Sequence, residues 1–458
     1  LILLIGIIIL SRLWLLDLGF GLDPDAWRIA NSAFDLRYHG MYHASRFPGY
    51  PVPEIINALF IGSGWLATNS VTFILSLVSV IVFAQILKIY NCRLRGLMTL
   101  TYAFIPLLWI NSTATMDYMW SVSFILLTWF LLLRRRVMLA GLMMAFAIGS
   151  RPQSVFMIVP FLFLIHGQGL HIRGFLKFSI TALVLSIGLF TPVYLTYGFR
   201  FFQQYPAQTT VLQIGYGMIK HFGLPAVITG FVLLITSLQG LRNIVVRQDP
   251  GNLFTLISLV VLLASFAALP YHIEYLIPAV PFALIFFERI NKNSLFPALC
   301  GLLILHSFVT VGSIQHFDNG QIKTSVLDQG AISRHAQERK EQLHFAQRII
   351  ESNIEEHSVV IIGPWLPILA YLDGTVSSIP GSKRMYDPNL PAEVVCNFDK
   401  DICYRYLVPH HELRTLLKEG YNVYFIDGMR EFTTDVHGYD LYDYQTLYLA
   451  IETGLPHP

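Results

Sequence analysis

The sequence predicts an α-helical polytopic membrane protein of about eleven transmembrane helices, with a small extracytoplasmic α/β domain at its C-terminal end. Three observations predict the membrane part. Hydrophobic residues make up 54% of the 458 and charged residues only 13%, against roughly 25% charged in soluble domains. Mean hydropathy is +0.55. Apolar windows long enough to cross a bilayer recur as far as residue 313. The net charge of +2 is too small to suggest nucleic acid, and the 4 cysteines show no metal-type spacing.

The spans read as about 1–19, 66–88, 97–112, 117–133, 137–150, 152–167, 175–197, 223–239, 253–270, 274–288 and 295–313. The first opens on Leu1 rather than Met and is read as a truncated span, because no small-residue cleavage site follows it. Basic residues set the orientation. The even-numbered loops carry Lys88, Arg93 and Arg95; Arg134, Arg135 and Arg136; Arg173 and Lys177; Arg242 and Arg247; Arg289 and Lys292. The short odd-numbered loops carry none, apart from Arg151. Even loops are therefore predicted to be cytoplasmic, in a multi-pass plasma or inner membrane. The long loop 20–65 and everything after residue 313 then face the other side. The division is a membrane domain over 1–315 and a soluble domain over 316–458. The latter alternates helix and strand patterns. Its Cys396 and Cys403, in "CNFDKDIC", read either as a disulfide or as two free thiols.

The first loop begins "GLDPDAWRIANSAFDLRYHG". Asp23 fits a helix N-cap, Pro24 the first helical position and Asp25 the first turn. Ala26, Trp27, Ala30, Ala33 and Phe34 share one face; Arg28, Asn31, Ser32 and Asp35 share the other. The pattern predicts a helix lying along the membrane interface. Capping explains Asp23 well and Asp25 less well, since a first-turn carboxylate gains only about 0.3–1 kcal/mol from the helix dipole. "RFPGYP" over 46–51 then predicts a rigid turn that leads to Glu54 at the membrane surface.

These features resemble the GT-C superfamily of membrane glycosyltransferases, which includes protein O-mannosyltransferases and aminoarabinose transferases of lipid A. The shared elements are an acidic residue just outside the first span, an amphipathic helix and a "PGYP"-type turn. "NSTATMDYMWSVSFILLTWFLLL" resembles the family's outer turn and fourth span, "AGLMMAFAIGSRPQSVFMIVPFLFL" the span pair with a basic residue before Pro, and "YHIEYLIPAVPFALIFFERI" the late "RYLLPALP" element. The likeness covers roughly residues 1–315. The late element departs from the pattern: Glu274 stands where the family usually has Arg, so the phosphate-binding role falls to Arg151, His272 or Lys220.

The resemblance implies a polyprenyl-phosphate sugar donor, such as dolichyl-phosphate mannose, and a lipid, glycan or protein acceptor. Such a transfer needs a carboxylate to take the acceptor's proton and positive charge to stabilise the leaving phosphate. Asp25 is the predicted general base, and Arg151 and His272 the predicted phosphate ligands. Asp23, Glu54, Asp117 and Glu274 are predicted acceptor or metal contacts. Asp23 and Asp25 have the Asp-x-Asp spacing of an oxygen site for Mg or Mn, although Pro24 between them fits a cap better than a cage. Each has a plainer reading beside this one: helix capping for Asp117, snorkelling for Arg151, a solvated surface charge for Glu54, and an interface role for His272 and Glu274. The alternative function is a transporter or flippase, whose charges are expected near the bilayer midplane rather than clustered at one face.

Overall fold

Proline and glycine punctuate the apolar runs, and in the computed structural model several helices start or end at them, although α10 runs on through Pro192. The structure describes residues 2–170, 172–202, 211–247, 249–290, 294–316, 322–352, 354–373, 394–397, 399–406, 408, 410–426 and 448–451. The membrane part begins with α1 (Ile2–Arg12), α2 (Pro24–His39), α3 (Pro51–Phe60), α4 (Gly64–Ile89), α5 (Arg95–Phe104), α6 (Pro106–Asn111), α7 (Tyr118–Leu133) and α8 (Val137–Ser150). It continues with α9 (Ile158–Gly167), α10 (Ile172–Tyr197), α11 (Val211–Phe222), α12 (Leu224–Arg247), α13 (Pro250–Ala268), α14 (Val280–Ile290) and α15 (Leu295–Phe308). Among the described residues, Pro51–Ile89, Ile172–Phe201 and Pro250–Ala268 are long and apolar enough to cross a membrane alone. Val211–Phe222 and Leu224–Ser237, bent by 107°, add a fourth if taken as one broken span. Five more predicted spans, 1–19, 117–133, 137–150, 152–167 and 295–313, correspond to shorter apolar helices of 10–17 residues, and 97–112 and 274–288 do not.

Several predicted spans are interrupted, for a reason that hydropathy does not register. Proline removes a backbone donor and restricts the residue before it. The 97–112 segment splits between α5 and α6 at Ile105, which is extended ahead of Pro106. The 152–167 and 274–288 segments start as tight helical turns, Pro152–Met157 and Ile273–Ala279. The 295–313 segment stops at Phe308 and continues as strand β1 (Val309–His316), so a strand runs across the expected boundary at 315/316. Lys292 and residues 203–210 lie outside the described residues.

β1 pairs antiparallel with β2 (Ile322–Gln329), and α16 (Ala331–Glu351) follows. Then come β3 (Ser358–Ile361), α17 (Leu366–Leu372), β4 (Val394–Asn397), β5 (Ile402–Arg405), α18 (His410–Lys418), β6 (Asn422–Ile426) and β7 (Tyr448–Ile451). The sheet order is β4-β5-β3-β6-β7, with β3 parallel to both β5 and β6. Cys396 and Cys403 face each other across the antiparallel β4–β5 pair and are joined as a disulfide.

α2 forms over Pro24–His39 as the sequence predicts. Its polar face is covered rather than solvated: Asn31, Ser32 and Asp35 are all buried. Asn31 Nδ2 donates to the Pro367 carbonyl of α17 at 2.8 Å, and Ser32 donates to the His43 carbonyl. Asp35 receives His39 at 3.0 Å and His43 at 2.8 Å. An amphipathic pattern fixes which face is polar, not what covers it.

Candidate functional site

Asp23 caps α2 as the sequence predicts. Its backbone is extended and its Oδ1 accepts the Asp25 N–H at 2.9 Å. Pro24 occupies the first helical position, and Asp25 thereby emerges in the first turn. The turn after α2 carries a residue that the sequence reading treated only as part of a loop. Gly49, with φ of +96°, closes that turn by donating to the Arg46 carbonyl at 2.8 Å. A Cβ at Gly49 would meet Val193 at 2.9 Å, so glycine is required there on both counts. The Arg46 guanidinium lies 3.9 Å from the centroid of the Tyr50 ring.

Arg46 joins two carboxylates. Its Nε lies 3.0 Å from Asp25 and its Nη2 2.6 Å from Asp117. Asp117 uses its other oxygen to accept Arg151 Nη1 at 2.7 Å. Arg28 Nη1 completes the chain at 3.0 Å from Asp25. Carboxylates and guanidiniums thus alternate along Arg28, Asp25, Arg46, Asp117 and Arg151. Asp117 is fully buried, and Asp25 keeps 15% of its side chain exposed.

Local backbone explains how Asp117 and Arg151 meet. Asp117 ends a turn knitted to the first loop: Thr115 N–H donates to the Phe20 carbonyl at 2.7 Å, and Thr115 Oγ1 donates to Asn69 at 2.8 Å. Arg151 precedes Pro152 and is extended, with φ of −148°, as a residue before proline prefers. That conformation ends α8 beside the start of α7. Tyr118 and Tyr275 both pack on the Arg151 guanidinium, with centroids at 4.5 and 4.3 Å. Arg151 is buried, so it does not snorkel. Asp117 makes no side-chain cap on α7, so its plain reading as a helix cap fails too.

The other predicted residues divide. His272 lies close enough to lower the proton affinity of both Asp23 and Asp25. Glu274 pairs with His221, Nε2 to Oε1 at 3.3 Å, within the field of His272 and Lys220. Glu54 is neither a surface charge nor part of the cluster. It is fully buried and accepts Ser45 N–H at 2.7 Å, Ser45 Oγ at 2.6 Å and Tyr42 Oη at 2.6 Å. It therefore holds the turn that carries Arg46. Sequence reasoning missed Arg46, Tyr50, Tyr118, Tyr275 and His221 as site residues. The signal available for Arg46 was a cation within a Pro/Gly-fixed turn, directly before "FPGYP".

The electrostatics separate the two aspartates. Burial alone would raise Asp25, but Arg46 and Arg28 hold it below the ordinary carboxylate range. Burial and the neighbouring Asp25 push Asp23 up to about 6. The two neighbouring carboxylates are thus shifted in opposite directions, Asp25 down and Asp23 up to about 6. A divalent metal fits poorly here. Both Asp25 oxygens face guanidiniums, one Asp23 oxygen caps the helix, and the described residues contain no group of three metal-ligating side chains.

The chain of charges does not use every donor it holds. Arg46 Nη1 is buried without a hydrogen-bond partner among the described residues. Such a guanidinium N–H is costly unless a ligand meets it. Arg151 also lines a small cavity of about 30 Å³, together with Ser121, Gln153, Ser154, Leu262 and Phe266. The Gln153 Oε1 there is also unpartnered. Comparison with family models, with curated proteins and with solved structures returns no match.

Proposed function

We propose that the chain is a membrane glycosyltransferase that moves a sugar from a polyprenyl-phosphate donor to a lipid, glycan or protein acceptor. The observation that carries this reading is the unpartnered Arg46 Nη1 beside the ionised Asp25. A phosphate oxygen satisfies the first, and an acceptor hydroxyl or amine satisfies the remaining lone pairs of the second. In the reaction the acceptor oxygen or nitrogen forms a bond to the anomeric carbon. The bond from that carbon to the lipid phosphate breaks, and its electron pair goes to the phosphate oxygen. Arg46 and Arg151 stabilise the charge developing there, and Asp25 takes the acceptor's proton. No step is routed through a metal.

The proposal includes the membrane arrangement. The eleven hydrophobic segments cross the bilayer, several as broken helices, with the site and the C-terminal domain on the extracytoplasmic side. The charge distribution supports this. Asp117 precedes α7 and Arg151 follows α8, whereas Arg134, Arg135 and Arg136 stand at the opposite ends of the same two helices. A site at helix ends also favours surface chemistry over a translocation path near the midplane.

The test uses purified protein in nanodiscs. Radiolabelled polyprenyl-phosphate mannose, glucose and aminoarabinose are offered with a membrane extract as acceptor, to wild type and Asp25→Asn. Transfer by wild type is expected to fall about 10²–10⁴-fold in Asp25→Asn, with donor binding retained. Equal transfer by both proteins would remove Asp25 as the base. No transfer by either, together with no donor binding, would overturn the enzyme class.

A further inference from the structure

A second constellation lies at the other end of the bundle, and the proposed transfer chemistry does not use it. A cavity of about 710 Å³ opens between the α7–α8 turn and the start of α10. Arg135, Arg136, Arg173 and Lys177 line it, and among the described residues no carboxylate does. Among the described residues none of these four has an ion-pair partner, and all four are exposed. Four cations gathered without a counter-charge repel one another, which a bound anion relieves.

The backbone adds to this field. α8 begins at Val137 and α10 at Ile172, so both helix N-termini open on the same cavity. Neither helix has an acidic residue in its first turn, and α8 has no side-chain cap. The two helices run side by side: a Cβ on Gly141 would meet the Phe178 carbonyl at 2.9 Å. Unbonded N–H groups and the positive ends of both helix dipoles are therefore added to the four side chains.

The cavity wall is not wholly polar. Val137, Met138, Leu139, Leu170 and Ile172 also line it, and Met138, Leu139 and Ile172 are 59%, 51% and 68% exposed. A free phosphate has no use for an apolar rim. A phosphate attached to acyl chains does, because its chains continue along the apolar helix surface. We propose that this cavity binds the phosphate headgroup of an anionic membrane lipid, and that the lipid anchors the α7–α8 and α9–α10 turns. Basic cavities between apolar helices are suited to such headgroups, with each cation near an anionic surface contributing about 1 kcal/mol, roughly fivefold in affinity.

The experiment uses the full chain, delipidated in detergent and titrated with phosphatidylglycerol, with phosphatidylcholine, with glycerol phosphate and with inorganic phosphate. Bound lipid is counted by native mass spectrometry. Wild type is compared with Arg135→Gln/Arg173→Gln, and with Arg95→Gln as a control that removes an exposed cation outside the cavity. Thermal melting of all three confirms that they are folded. Phosphatidylglycerol is expected to bind wild type at least about tenfold better than phosphatidylcholine. The double variant is expected to lose at least about fivefold, and Arg95→Gln to match wild type. The proposal is overturned if the two lipids bind alike or if the double variant loses no more than the control. Glycerol phosphate or inorganic phosphate binding as tightly as the lipid would make this a free-phosphate site and also overturn it. Sugar transfer is not a readout, so failure here and failure of the glycosyltransferase reading are distinguishable.

Discussion

Arg46 binds Asp25 and Asp117 and leaves its buried Nη1 without a partner among the described residues, so its substitutions separate structure from ligand binding. Arg46→Gln removes the charge on which both carboxylates depend, and breaking a buried pair of this kind costs about 3–5 kcal/mol. Arg46→Lys keeps the charge and loses the fork. It is expected to melt close to wild type but to bind polyprenyl phosphate roughly 10- to 100-fold more weakly, the worth of one charge-assisted hydrogen bond. A folded Arg46→Lys with unchanged lipid-phosphate affinity would place the phosphate elsewhere. Asp23 provides the pH dependence. Burial and Asp25 raise it to about 6, so it is neutral below that pH and anionic above it. Its negative charge strengthens Asp25 as a base, and kcat/KM is expected to rise through pH 6. Its contribution to stability has the opposite sign: present below the unfolded value near 3.9 and lost as pH rises through about 6. Asp23→Asn keeps an equally good cap and is expected to abolish the limb in kcat/KM. A limb that persists in this variant would mean that some other group titrates there. At this scale the sequence identified Asp23, Asp25, Asp117 and Arg151 as residues of interest, because carboxylates and arginines are conspicuous among apolar runs. It did not reveal that Arg46 joins Asp25 to Asp117 or that Asp117 pairs with Arg151, because the first loop, the turn before α7 and the end of α8 are far apart in sequence.

Among the elements, the turn between α2 and α3 decides where the Arg46 charge is held. Its stiffness was legible in "RFPGYP", since Pro and Gly limit the backbone directly. The role of Glu54 was not legible. A carboxylate that turns back to bind Ser45 and Tyr42 across an irregular loop leaves no periodic trace. Glu54 acts through the turn and is a positioning residue. Glu54→Ala leaves three donors without their acceptor and is expected to destabilise the chain by about 3 kcal/mol or more, lowering transfer with it. Glu54→Gln retains one acceptor oxygen and is expected to recover most of both properties. The paired readouts are the thermal midpoint and kcat. If Glu54→Gln were as inactive as Glu54→Ala while melting like wild type, Glu54 would be touching the substrate rather than holding the turn. The prolines that open α6 and follow Arg151 make the same general point. Hydropathy finds an apolar segment, but a missing N–H determines whether that segment is one helix or two. At Arg151 the interruption also serves to turn the guanidinium onto Asp117.

Across the whole molecule, the C-terminal part is fastened to the segment that leads to the site. Arg339 of α16 donates to the Leu18 carbonyl at 2.9 Å, the Gly19 carbonyl at 2.7 Å and the Thr113 carbonyl at 3.1 Å. Gln342 donates to the Leu22 carbonyl at 2.8 Å, directly before Asp23. The change of composition near residue 316 indicated a separate domain. It gave no sign of this docking, because backbone carbonyls as partners are invisible in a sequence. The docking surface also contains a buried histidine on α16. Burial, followed by the positive field of Arg339, Lys220 and His221, holds His335 well below the ordinary histidine range. The sign follows from linkage. A histidine whose folded value is depressed contributes stability above the unfolded value near 6.5, and that contribution is lost as pH falls below it, because the unfolded chain takes up the proton first. Acidification from pH 8 to pH 5 is therefore expected to lower the thermal midpoint of the full chain in micelles. Asp23 works against this trend over part of the same range, so the His335 contribution is isolated by His335→Gln, which is expected to flatten the acid limb. Because α16 also braces Leu18 to Leu22, loss of docking displaces the start of α2 and the Asp25 it carries. Transfer should then fall with the midpoint in wild type and fall less steeply in His335→Gln. An acid limb of the same depth in both proteins would show that His335 is not what couples the C-terminal part to the site.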